Sequence, residues 1–130
     1  MELKDRIQEE IYEDEEAILE ENFDRVKKLI KIYSDGTIAI QKGYRDLDQD
    51  LQILVYFIGQ RFAYEGEFSE NDKLKTSFFY DRLDKSERTI RNYVQELREA
   101  GYIKNEGQGE HRLIAENLPD ALTQIEEAAQ

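Results

Sequence analysis

Apolar residues return along this chain first with a helical period and then with a period of two, and the switches between them predict its elements. From Leu3 to Ile30, the residues Ile7, Ile11, Ile18, Phe23, Val26 and Ile30 fall on helical spacing, which predicts one long helix with an apolar face. Glu13, Asp14, Glu15 and Glu16 interrupt the stripe, so the half from Ile18 to Ile30 is expected to be the better formed. Around Ser34-Asp35-Gly36 the period becomes two. A three-residue loop with Gly36 at positive φ sets Ile32 opposite Ile38 and Ile30 opposite Ile40, which places the four isoleucines on one face. Asp35-Gly36-Thr37 is therefore read as a hairpin turn and not as a phosphate loop.

The helical period resumes from about Asp46 to Tyr64, where Leu51, Leu54, Val55, Ile58 and Phe62 form the stripe of a core-facing helix. Its aromatic neighbours Tyr56, Phe57 and Tyr64 are assigned to core or interface. Residues Glu65 to Asp72, with Gly66, Ser69 and Asn71, read as a loop. A short helix carrying Phe79 and Leu83 follows, then a tight turn, a helix opened by Ser86 and stopped by Gly101, and a two-stranded ribbon around Gly107 to Gly109. Asn117 is expected to cap a last helix with Pro119 in its first turn and Leu118, Ala121, Leu122, Ile125 and Ala129 along one side. These elements predict a mostly α fold with a small β component, in the α+β class. They divide as an acidic helix and hairpin over 1–45, a helix and ribbon unit over 46–115, and a C-terminal helix over 116–130.

Composition narrows the function classes. A chain of 130 residues, 39% hydrophobic, suits one core with an appendage. It has no cysteine and a single histidine, His111, so no thiolate metal site is expected and no Cys-His or Ser-His-Asp set beyond that one histidine; no cofactor, no metal and no enzymatic activity are predicted. The first residues alternate charge without an apolar run, and no window approaches the length of a membrane span, which predicts a cytoplasmic protein away from the membrane.

The net charge of -12 opposes a nucleic-acid partner at first sight, but it is unevenly distributed. Residues 73–112 hold nine Lys or Arg against seven Asp or Glu, a balance of +2, which leaves -14 for the remainder. Residues 1–22 alone hold ten acids against two bases, a solvated acidic face. In the helix from Ser86, Ile90, Val94 and Leu97 take the inward side, which leaves Arg88, Thr89, Arg91, Asn92 and Gln95 on the other. These are the donor-rich types that major-groove edges accept: Arg forks onto guanine, and Asn or Gln onto adenine. Lys85 stands at the mouth of that helix. Lys104, His111 and Arg112 supply cations to the ribbon, whose tip is loosened by Gly107 and Gly109.

Residues 74–114 resemble the winged helix-turn-helix domains of prokaryotic regulators, bacterial and archaeal. Ser86, Thr89, Ile90, Arg91, Leu97, Gly101 and Ile103 match the recognition helix and first wing strand of that family, and Phe79 and Leu83 stand where its leading helix carries leucines. Tyr80, Asp84 and Lys85 replace the family's small residue and Gly-aliphatic pair, so Asp84 is expected in the left-handed region. The whole chain also resembles small acidic archaeal proteins that join such a domain to an N-terminal extension. The resemblance implies sequence-specific double-stranded DNA binding and transcription regulation, with a recognition helix over about 86–100 and a wing over about 102–115. A homodimer through the N-terminal or C-terminal helix would present two such helices. The alternative it implies is a winged fold used for protein assembly without DNA.

Overall fold

The helix from Gln49 to Glu65 (α4) is apolar nearly all round, and the rest of the chain is built against it. In the computed structural model, which describes residues 2–10 and 14–130, its Ile53, Leu54, Val55, Phe57 and Ile58 have no exposed surface. A helix apolar on all sides belongs inside a core. Three elements precede it where the sequence predicts one long helix: α1 (Leu3–Glu10), α2 (Glu15–Glu21) and α3 (Phe23–Lys27). Asp14 starts α2, its side chain accepting from the Glu16 amide at 3.0 Å. Asn22 ends it, its Nδ2 donating to the Ile18 carbonyl at 2.7 Å while its own backbone leaves helical geometry. The side chain adds a second donor to a carbonyl that the Asn22 backbone amide also reaches at 3.3 Å, closing α2 at this residue. The predicted stripe changes accordingly. Leu19, Val26 and Leu29 are buried, Ile7 and Phe23 are exposed, Ile30 belongs to a strand, and Ile11 lies outside the described residues.

The hairpin β1 (Ile30–Ile32) and β2 (Ile38–Ile40) has the register expected, with Ile30 opposite Ile40 and Ile32 opposite Ile38. Tyr33 donates to the Thr37 carbonyl and so closes a three-residue loop, in which Gly36 has φ +86°. A Cβ there would also stand 2.6 Å from the Phe68 carbonyl, so the position requires glycine twice over. The hairpin lies on α4, where Gly59 lets it come close: a Cβ on Gly59 would sit 2.7 Å from Ile38 Cγ2. Gly59→Ala is thus expected to destabilise the chain by about 1 kcal/mol, because overpacking at about 1–3 kcal/mol outweighs the gain of about 1 kcal/mol in helix propensity. Urea unfolding followed by circular dichroism checks the sign.

After the loop from Gly66 to Asp72 the chain forms β3 (Lys73–Lys75), a 3-10 turn (Thr76–Phe79), α5 (Glu87–Glu99), β4 (Ile103–Gly107) and β5 (Glu110–Leu113). The second sheet is antiparallel, in the order β3-β5-β4. The predicted helix carrying Phe79 and Leu83 is instead a 3-10 turn that ends at Phe79, its start drawn into this sheet: Lys73 and Lys75 pair with Arg112 and Glu110, and the Thr76 amide donates to Gly109. Phe79 and Leu83 are still buried. The left-handed geometry expected at Asp84 does not occur, since positive φ among the described non-glycine residues is confined to Glu67 and Gln108.

The last helix, α6 (Leu118–Ala128), turns Leu118, Ala121, Leu122 and Ile125 fully into the core. Its apolar side is covered by its own chain and is not open for the dimer contact expected of it. Asn117 does not cap this helix either; its Nδ2 donates to the Gly101 carbonyl at 2.7 Å and ties the end of α5 to the start of α6. The result is a mixed α+β structure with two small sheets, whose core draws on all three predicted segments. Among the described residues no helix is long and apolar enough to cross a membrane.

Candidate nucleic-acid interface

The local sequence of α5 fixes both its ends and therefore its outward side. Ser86 accepts from the Thr89 amide at 3.1 Å and donates its hydroxyl to Thr89 Oγ1 at 2.9 Å. At the other end Gly101, with φ +85°, donates to the Arg98 carbonyl and Tyr102 to that of Leu97, the paired closure that a left-handed glycine permits. Between these stops Ile90, Val94 and Leu97 are buried as expected. Arg88, Arg91, Asn92 and Gln95 are exposed, and Lys85 is exposed just before the helix.

The groups on this face are not equally free. Arg88 has no ion-pair partner among the described residues. Arg91 stands 3.9 Å from Glu87, but both side chains are more than half exposed and such a pair holds little energy. Gln95 donates to Glu99 at 3.1 Å, a contact at the surface that a base edge could replace. Thr89 is half-buried with its hydroxyl engaged by Ser86, so it belongs to the cap more than to the open surface.

The ribbon departs further from expectation. Lys104 is exposed and faces Arg112 across the β4–β5 pair. Arg112 is neutralised, its Nε bound to Glu106 at 2.5 Å and its Nη1 lying 3.9 Å from Asp72. His111, expected among the exposed cations, is buried at 3% exposure. Its ring meets Phe57 edge-on at 6.5 Å between centroids, and its Nε2 lies 3.3 Å from Arg98 Nη1. The cause is strand alternation: Leu113 points inward, Arg112 outward, and His111 inward again. That period was legible from Leu113 back. Three cations expected on the ribbon thus reduce to Lys104.

Burial, and then the Arg98 guanidinium, hold the His111 pKa below its ordinary 6.5. A neutral ring accepts from Arg98 at Nε2, which puts its proton on the buried Nδ1. Below pH 6.5 the unfolded chain takes up a proton that the folded chain refuses, so the contribution of His111 to stability is full above that pH and is lost as pH falls through the folded value. His111→Phe is expected to remove this loss. The difference in unfolding free energy between variant and parent should move in the variant's favour from pH 7 to pH 5, as read by urea titration at each pH.

Other sequence-assigned side chains are placed as follows. Phe57 is core, Tyr56 packs edge-on against Phe78 and Phe79, and Tyr64 is exposed beside a groove that also holds Phe68. Among the described residues no group of three or more His, Asp or Glu side chains is positioned to hold a metal. No protein-family model, curated protein or solved structure matches the chain.

Proposed function

We propose that the chain is a winged helix-turn-helix protein that binds double-stranded DNA as a transcription regulator of prokaryotic, archaeal type, with α5 in the major groove and β4–β5 as the wing. The order α4, β3, 3-10 turn, α5, β4, β5 with strands arranged β3-β5-β4 supports this reading, a 3-10 turn standing where the leading helix is expected. The observation that carries the reading is the open, donor-rich side of α5, with Arg88, Arg91, Asn92 and Gln95 uncovered by any other part of the described chain. No catalytic constellation is needed for this role. A two-fold dimer would set two α5 helices on successive grooves, and of the two terminal helices α1, whose Leu3 and Ile7 are exposed, is the one left to make it.

Of the cations assigned to this interface, Lys85, Arg88, Arg91 and Lys104 are the ones free to meet phosphate on a duplex without the selected sequence. Roughly four phosphate contacts per protomer give a slope of about -3 to -4 in log affinity against log salt, and a loss of about a hundredfold between 50 and 200 mM. Fluorescence anisotropy on a random duplex at several salt concentrations reads this directly. The neutralised Arg112 and buried His111 favour a second reading, a winged fold serving protein assembly. Absence of duplex binding even at low salt would select it.

A further inference from the structure

A groove runs between α2, α3 and the end of α4, far in composition from the α5 surface. Leu19, Phe23 and Phe62 line it, with Glu16, Glu20, Asp24 and Glu65 around them, and it encloses about 490 Å³. A second depression of about 700 Å³ shares Glu16 and Glu65 and carries the surface on past Tyr64 and Phe68 to Glu67 and Glu70. Phe23, Tyr64 and Phe68 are 51%, 43% and 48% exposed, which makes this the place where exposed aromatic side chains gather among the described residues. Exposed aromatic side chains set within an acidic rim mark an interaction surface.

Charge selects the occupant. Glu65 is paired with the buried Arg61 at 3.0 Å, but Glu16, Glu20, Asp24, Glu67 and Glu70 have no ion-pair partner among the described residues. Duplex DNA would be repelled there, and so would this same acid-rimmed face of a second copy. The chain's own α1 exposes Leu3 and Ile7 but carries Asp5, Glu9 and Glu10 against Lys4 and Arg6, again the wrong sign. We infer that this acid-rimmed aromatic groove docks a basic amphipathic helix of a partner protein, apolar anchors on the aromatic floor and Lys or Arg on the rim. No α5 residue lines either depression.

The test uses the full chain and a fluorescein-labelled helical peptide of leucine and lysine, about two heptads long with leucine on one face. Two control peptides replace lysine by glutamate or leucine by serine. The leucine-lysine peptide is expected to bind at micromolar concentration, about tenfold or more tighter than either control, and more weakly as salt rises. Glu20→Lys with Asp24→Lys should weaken it by about tenfold or more, and Glu20→Gln with Asp24→Asn by less; all four changes are at exposed positions. Phe23→Ser with Phe68→Ser should abolish the preference for the leucine peptide, while Arg88→Ala with Arg91→Ala should leave it unchanged. Equal binding of the serine-lysine peptide, or indifference to both acid variants, would overturn the inference. So would self-association in sedimentation that Phe23→Ser removes, since the occupant would then be a second copy.

Discussion

Truncation of Phe57 to alanine is expected to lower the unfolding free energy by about 3–5 kcal/mol, a large part of what holds a domain of this size together. Phe57 has no exposed surface, and its ring lies 5.6 Å from that of Phe79 and 6.5 Å from His111. It therefore joins α4 to the 3-10 turn and to β5, and the space it leaves cannot be filled by one neighbour moving. Phe57→Leu keeps most of the volume and should cost about 1.5 kcal/mol or less. Urea midpoints by circular dichroism distinguish the two, and a loss below 1 kcal/mol for Phe57→Ala would show that the ring does not bridge these elements. Because the 3-10 turn contacts α5, the alanine variant should also bind duplex less tightly than its remaining folded fraction accounts for.

Removal of both guanidinium groups from the open side of α5 is the second large effect. With about 1–3 kcal/mol for each base contact, and incomplete additivity between neighbours one turn apart, Arg88→Ala with Arg91→Ala should weaken binding to a selected duplex by about 2–4 kcal/mol. Binding to a random duplex should weaken less, so the preference for the selected sequence falls. Lys104→Ala should instead weaken both duplexes alike. Stability should change little in any of the three, since these side chains are exposed. Equal losses on both duplexes for the arginine pair would reassign them to phosphates.

Much of this arrangement could be read from residue order alone. The hairpin register followed from four isoleucines and one glycine, α4 from its stripe, and the limits of α5 from Ser86 and Gly101. Those are local signals, in which the side chain and the backbone it governs lie within a turn of each other. What escaped depends on distant partners or on competition. Asn22 is compatible with a helix until its own backbone leaves helical geometry while its side chain bonds back to the Ile18 carbonyl. Lys73 to Lys75 form a strand only because β5 lies beside them, and Asn117 serves Gly101 rather than its own helix. The exposed side of α5 was legible, Thr89 excepted, and the ribbon was misread, where a polar residue type was allowed to outweigh the alternation that turns His111 inward.

That misreading moves the weight of the proposed DNA recognition from the ribbon to α5, and amide chemical-shift mapping of the full chain with a duplex at low salt tests this most directly. Expected are changes concentrated between Lys85 and Gln95, with smaller ones from Lys104 to Gly109, and none along Glu16 to Asp24. Changes concentrated on the acidic groove, or no change at millimolar duplex, would contradict DNA binding by α5.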